Sequence, residues 1–169
     1  HPEAAIAGLK KPHYQKVDIG RVNDHYFVNT IAAGFMPEAV GAVSIEQKTR
    51  LGPLAYFLTG LKALQNHETY LFKIESDNGV YIYRSPLIVL MLTDSVGSFR
   101  NIAPAAQVDD GKLWLGIFKD FTYLDLLRAI PEFMAGTPLS SEYMSLTTAT
   151  HVNITLVEGS LTTNMDGDQ

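Results

Sequence analysis

Seven consecutive apolar residues, Pro86–Leu92 (PLIVLML), constrain this chain more than any other stretch. The run has strand length and is far short of the roughly 20 residues that a membrane helix needs. Apolar on both faces, it reads as a central strand covered from both sides. A hairpin signal leads into it: TYLFKIES from Thr69, the turn Asp77-Asn78-Gly79, then VYIYRS. Asn-Gly between alternating apolar residues is the strongest short-range hairpin signal, because both turn residues tolerate positive φ.

The chain can cover such a strand. It has 169 residues, of which 46% are apolar and 18% charged, enough for one packed domain. The net charge of −5 argues against a nucleic-acid partner and against simple adhesion to anionic lipid. Without cysteine there is no disulfide, zinc–thiolate site or thiol nucleophile, and a reducing cytoplasm fits. No signal peptide is visible. His1 at one end and Asp-Gly-Asp before Gln169 at the other read as cut ends, so a piece of a longer protein is expected.

In chain order, His1–Lys11 reads as a short helix, with Pro2 and Glu3 suited to a first turn. Tyr14–Gly20 reads as a strand, Val22-Asn23-Asp24 as a corner, and His25–Phe35 as a second strand. Asn29 on that strand needs hydrogen-bond partners if buried. From Met36 to about Gln65 the pattern is helical with breaks, and Leu54, Phe57, Leu58, Leu61 and Leu64 form an apolar stripe. Lys48 and Arg50 fall at its joint. Beyond the hairpin and Pro86–Leu92, Ser95–Phe99 reads as a flexible loop, and Lys112–Phe118 as a strand. Tyr123–Ala135 reads as an amphipathic helix, with Pro131 a kink or boundary. Glu142–Glu158 is β-rich, and Leu161–Met165 reads as a last strand. The expected fold class is α+β, mainly β: an antiparallel β-sandwich or barrel-like domain with a few flanking helices.

There is no Gly-Gly pair, G-x-G or Walker loop, so no phosphate cradle is recognisable. The five histidines show no metal-binding spacing, and no serine sits in G-x-S-x-G. That pattern argues against a self-contained hydrolase or zinc enzyme. Two acidic turns remain, Asp109-Asp110-Gly111 and Asp166-Gly167-Asp168, each beside a strand end. A turn of this kind aims carbonyls and a carboxylate into one volume, as a hard cation requires, although a lone Asp-Gly turn is ordinarily just solvated.

The residues VDIGRVNDHYFVNTIAAGF, RLGPLAYFLTGLKAL, IAPAAQVDDGKLWLGIF and NMDGD together resemble the soluble bacterial diacylglycerol kinases, the YegS-like lipid kinases. These are relatives of sphingosine kinases and, more distantly, of NAD kinases. The resemblance covers nearly the whole chain. Such kinases have an N-terminal nucleotide-binding domain with a GGDGT loop and a C-terminal β-sandwich that carries the lipid side. This sequence resembles the second domain alone, over residues 1–169, which would be inactive by itself.

The resemblance implies an ATP- and Mg²⁺-dependent kinase acting on a hydroxyl of diacylglycerol or a similar lipid, in phospholipid metabolism. It implies a Mg²⁺ held by the Asp110 carboxylate and the main-chain carbonyls of Gln107 and Lys112, with Asp109 as the second choice and water filling the octahedron. Asp168 stands where the family usually has a glutamate, as the proton acceptor. ATP would be held mainly by the N-terminal domain. Further implied partners are the lipid substrate, that N-terminal domain and, transiently, a membrane surface, with room for a homodimer. The implied location is cytoplasmic and peripheral to the membrane. Two alternatives stay open: a non-catalytic β-sandwich binding a small apolar ligand, and a kinase of the same superfamily with another acceptor such as NAD or a sphingoid base.

Overall fold

The computed structural model describes residues 14–35, 68–96, 100–120, 122–135, 137–138 and 140–167. The helices expected over His1–Lys11 and Met36–Gln65, Lys48 and Arg50, and part of the Ser95–Phe99 loop lie outside the described residues.

The elements run β1 (Gly20–Val22), β2 (His25–Phe27), β3 (Thr30–Gly34), β4 (Tyr70–Ser76), β5 (Gly79–Ser85), β6 (Leu87–Met91), β7 (Leu113–Phe118), α1 (Tyr123–Ala135), β8 (Met144–Ala149), β9 (Val152–Leu156) and β10 (Thr163–Met165). All pairing is antiparallel. A five-stranded sheet has the order β10-β3-β6-β7-β8, a three-stranded sheet the order β5-β4-β9, and β1-β2 stand as a ribbon. This is a sandwich-like body; among the described residues no barrel closes.

The apolar run lies at the middle of the five-stranded sheet, and its side chains alternate between two cores. Ile88, Leu90 and Leu92 join Ile31, Leu115 and Ile117 against Phe72 and Ile74 of the smaller sheet, with Phe27 from the ribbon. Val89 and Met91 point the other way and pack with Ala103. Leu90 lies opposite Ile31 on β3 and Leu115 on β7, so the alternation agrees across three strands. Ser85, fully buried, turns the chain between the two sheets. Its Oγ donates to Phe118 O at 2.6 Å and accepts the Leu87 N–H at 3.2 Å, which satisfies the corner.

Two strand expectations need correction, and the β-rich stretch Glu142–Glu158 resolves into two strands. Residues 14–19 belong to no strand, and β1 begins only at Gly20. A Cβ at Gly20 would lie 2.1 Å from the Phe27 ring, so glycine lets that ring enter the core. His25–Phe35 is not one strand: it bends at Val28-Asn29, where an acidic side chain from the far end of the chain takes the backbone donors. Glu142–Glu158 divides at Thr150-His151 into β8 and β9, which enter different sheets. Asp77 at the β4–β5 tip accepts the Thr150 N–H at 3.2 Å and fixes that break.

The helix has its expected limits and passes through Pro131. Thr122 caps it: the Asp125 N–H donates to Thr122 Oγ1 at 3.3 Å, and Asp125 Oδ2 accepts the Thr122 N–H at 2.9 Å. This reciprocal pair is a capping box.

Ile88 is fully buried between three strands. Truncation to alanine leaves a cavity there, so Ile88→Ala should cost about 2–5 kcal/mol of unfolding free energy in a urea titration.

Candidate functional site

The residues 107–112 form a loop closed by its own carboxylate. Gly111 at φ 68 makes the turn, a conformation glycine adopts without a Cβ penalty. Asp110 Oδ1 accepts the Lys112 N–H at 2.9 Å; Oδ2 accepts the Gln107 N–H at 3.2 Å and the Trp114 Nε1–H at 3.0 Å. In return the Asp110 N–H donates to Gln107 O at 3.4 Å. Partial burial by itself would raise the Asp110 pKa. The Trp114, Gln107 and Lys112 donors, together with the Lys112 charge, outweigh it and hold the carboxyl below its usual range.

A second carboxylate fastens this loop to the chain's beginning. Asp18 Oδ2 accepts the Gly111 N–H at 2.6 Å, and the Asp18 N–H donates to Val108 O at 2.7 Å. Asp109 is exposed and takes no part in these bonds. The expected ion ligands Gln107, Asp110 and Lys112 are thus brought together. Among the described residues no group of three or more His, Asp or Glu side chains could hold a metal. Three N–H donors already occupy most of the roughly four lone-pair positions of a carboxylate. What the loop can offer an ion is one carboxylate lone pair and main-chain carbonyls. That all-oxygen set fits a hard, water-rich cation and not a soft one.

The other acidic turn is built on the same chemistry at longer range. Asp166 Oδ2 accepts the Val28 N–H at 2.7 Å, and Oδ1 accepts the N–H groups of Asn29 and Thr30, each at 2.9 Å. The Asp166 N–H donates to Thr30 O at 2.9 Å. Burial would raise this pKa too, but the Thr30, Val28 and Asn29 donors keep it low. Asn29 is half-buried and not idle: its Oδ1 accepts the Thr93 Oγ1–H at 2.8 Å. Asp168, the expected proton acceptor, lies outside the described residues.

Between the two sheets and the ribbon opens a cleft of about 780 Å³. Phe27, Ile31, Phe72, Leu90 and Leu156 line its apolar part; Asp18, Arg21, Lys112 and His151 supply polar lining. Asp18 and Thr93 are the site residues that spacing alone passes over; Asp166 lies in the acidic turn noted above, but its long-range bonds leave no local signal. Asp18 carries a signal only inside the VDIG stretch. Thr93 carries none.

An antiparallel two-sheet domain with an apolar cleft and carboxylate-closed corners is a β-sandwich-like domain. Residues 29–169 match the YegS C-terminal NAD kinase beta sandwich-like domain, and the chain belongs to that family. It is 30% identical over 166 residues to a diacylglycerol kinase of Bacillus subtilis strain 168, covering 98% of this chain and 53% of that protein. It is 31% identical over 164 residues to a diacylglycerol kinase of Staphylococcus carnosus, covering 97% and 53%. The chain therefore spans about half the length of these curated relatives. In fold it is similar to the crystal structure of a candidate diacylglycerol kinase from Bacillus anthracis, with TM-score 0.71, 24% identity, and coverage of 95% of this chain and 53% of that one.

Because the Asp110 bonds need no ion, Asp110→Ala should lower the melting temperature by about 3–6 °C even with a chelator present, measured by circular dichroism. The depressed Asp166 pKa gives stability that is complete above the unfolded value near pH 4 and lost as pH falls through the lower folded value. Chemical unfolding from about pH 7 down to 2 should show a smaller acid loss in Asp166→Asn than in the wild type.

Proposed function

We propose that this chain is the C-terminal, lipid-binding domain of a two-domain, ATP-dependent kinase that phosphorylates a hydroxyl of diacylglycerol or a similar lipid. The observation that carries the reading is the match, over 97% and more of the chain, to proteins named diacylglycerol kinase. The cleft supports it from the chain's own residues. Its apolar walls suit acyl or glyceride carbon, and its polar lining can meet a headgroup.

Asp168 is the proton acceptor in this reading. It orients the acceptor hydroxyl and takes its proton as the oxygen attacks the phosphoryl group. The phosphoryl group comes from ATP, bound mainly by the N-terminal nucleotide-binding domain. Asp110, with the carbonyls of Gln107 and Lys112, would hold a Mg²⁺, whose fixed charge would add to the bonds that already close the acidic loop. Asp18 then ties that loop to the ribbon side of the cleft. No helix among the described residues is long and apolar enough to cross a membrane. In this reading the enzyme is cytoplasmic, meets its lipid at the membrane surface, and serves phospholipid synthesis. Self-association to a homodimer is compatible with it.

The test is phosphoryl transfer by the full-length protein, with diacylglycerol, a sphingoid base and NAD offered separately. Diacylglycerol should be phosphorylated with Mg²⁺-ATP, and Asp168→Asn should lower kcat by a factor on the order of 100 or more. Transfer to NAD alone would move the protein to the other branch of the superfamily. Lipid binding without any transfer would make the domain a carrier of apolar ligands.

A further inference from the structure

Only one asparagine of the chain precedes a glycine: Asn78, at the tip of the β4–β5 hairpin. Both residues are exposed. The tip carries two side chains that clasp the crossover between β8 and β9. Asp77 accepts the Thr150 N–H at 3.2 Å and the Thr150 Oγ1–H at 3.3 Å. Asn78 Nδ2 donates to Thr148 O, a main-chain acceptor on β8, the outermost strand of the five-stranded sheet. The hairpin belongs to the smaller sheet, so these bonds tie one sheet to the other. They do so beside Thr150 and His151, which line the cleft.

The peptide group between Asn78 and Gly79 is itself engaged. Tyr81 Oη donates to its carbonyl oxygen, Asn78 O, at 2.8 Å. When the Gly79 N–H loses its proton, the charge spreads onto that oxygen, and a donor on the charged form favours it. The hydroxyl thus makes Gly79 N a better nucleophile. Glycine also leaves that nitrogen unshielded, since a Cβ at Gly79 would stand 3.3 Å from the same Tyr81 Oη. The electrophile is one residue back. Attack on the Asn78 side-chain carbonyl carbon, Cγ, closes a five-membered ring, and such intramolecular attack is far faster than a bimolecular one. The Asn78 N–H is held by Ser76 Oγ at 3.2 Å, while the bond to Thr148 O retains the side chain. The closed clasp therefore restrains the very amide that the tip exposes.

We propose that Asn78-Gly79 is a self-modification site: Gly79 N, activated by Tyr81, attacks Asn78 Cγ when the clasp opens, and the resulting acid cannot close the clasp again. The co-reactant is water. Gly79 N gives its proton to solvent base and bonds to Cγ; the Cγ–Nδ2 bond breaks, and ammonia leaves with a proton from solvent. Water then opens the cyclic imide at one of its two carbonyls, giving aspartate or isoaspartate at residue 78. Either product replaces the Nδ2 donor with a carboxylate, which only accepts. Asp77 beside it is already ionised, because the Thr150 N–H holds its carboxyl below the usual range. Two like charges at one tip, facing the carbonyl of Thr148, oppose re-closure. The inference stands apart from the kinase reading and concerns how long the two sheets stay clasped beside the cleft.

The experiment follows the full-length protein at mildly alkaline pH, folded in buffer and unfolded in concentrated urea. Conversion at residue 78 is read by peptide mass spectrometry. In the folded wild type Asn78 should convert faster than Asn23, Asn153 and Asn164, which precede larger residues. Tyr81→Phe keeps the ring and removes the donor. It should slow conversion in the folded protein by about threefold to tenfold, the worth of one hydrogen bond, and leave the rate in urea unchanged. Asn78→Asp carries the product's side chain, and its amide hydrogen exchange at Thr150 and His151 should rise on the order of fivefold or more. A folded Asn78 no faster than those three asparagines, or equal folded rates in Tyr81→Phe and wild type, would overturn the proposal. So would wild-type exchange in Asn78→Asp, because the acid would then leave the clasp closed. Asn78→Gln is the second handle if Tyr81→Phe does not fold. It keeps an amide but must close a six-membered ring, so conversion at residue 78 should be lost; conversion at the wild-type rate would refute attack by Gly79 N.

Discussion

A strand with both faces out of water governs this domain. Such a strand can exist only if each neighbour supplies backbone partners and each face supplies a lid. β6 receives partners from β3 and β7 in matched alternation. One face receives the smaller sheet and the ribbon's Phe27; the other receives Ala103 and its surroundings. Burying branched aliphatic side chains on both sides contributes about 1.5–3 kcal/mol each before entropy is subtracted. At one end of that strand Leu92 and Thr93 hold the Val28-Asn29 bend, and at the other Ser85 fixes the corner between the two sheets.

Both acidic corners solve one problem in the same manner. A turn leaves backbone N–H groups without sheet partners, and an unmatched buried donor is costly. Asp166 collects three such donors, and Asp110 collects two together with the Trp114 Nε1–H, so the loops hold their shape as folded protein. Charge-assisted bonds of this sort are stronger than neutral ones. The same bonds keep both carboxyls ionised. The two sites differ in span. Asp110 works within its own loop, whereas Asp166 joins segments that are remote in sequence.

That difference in span explains what could be read beforehand. Pro86–Leu92, the Asn78-Gly79 hairpin and the limits of Tyr123–Ala135 follow from local pattern, and the structure has them. Gln107, Asp110 and Lys112 lie within six positions, so their meeting is a property of the turn. The break at Val28-Asn29 is invisible locally, because the alternation of His25–Phe35 continues through it. Its cause is a carboxylate 138 residues further on. The break at Thr150-His151 is likewise imposed by Asp77 from another hairpin. Residues 14–19 have strand composition but join no sheet; Asp18 instead bonds to the acidic loop.

The strand order has a consequence for biosynthesis. β3 pairs on one side with β6 and on the other with β10, which is made after every other described strand. While a ribosome is still translating the middle of the chain, the outer edge of β3 therefore has no mate. Residue 166 emerges 138 residues after residue 28, so every nascent chain passes through an interval in which β3 is an open edge of its sheet. Exposed edges recruit foreign strands. Rapid translation of that last stretch, or a chaperone waiting at the exit tunnel, is what such a layout favours in the cell.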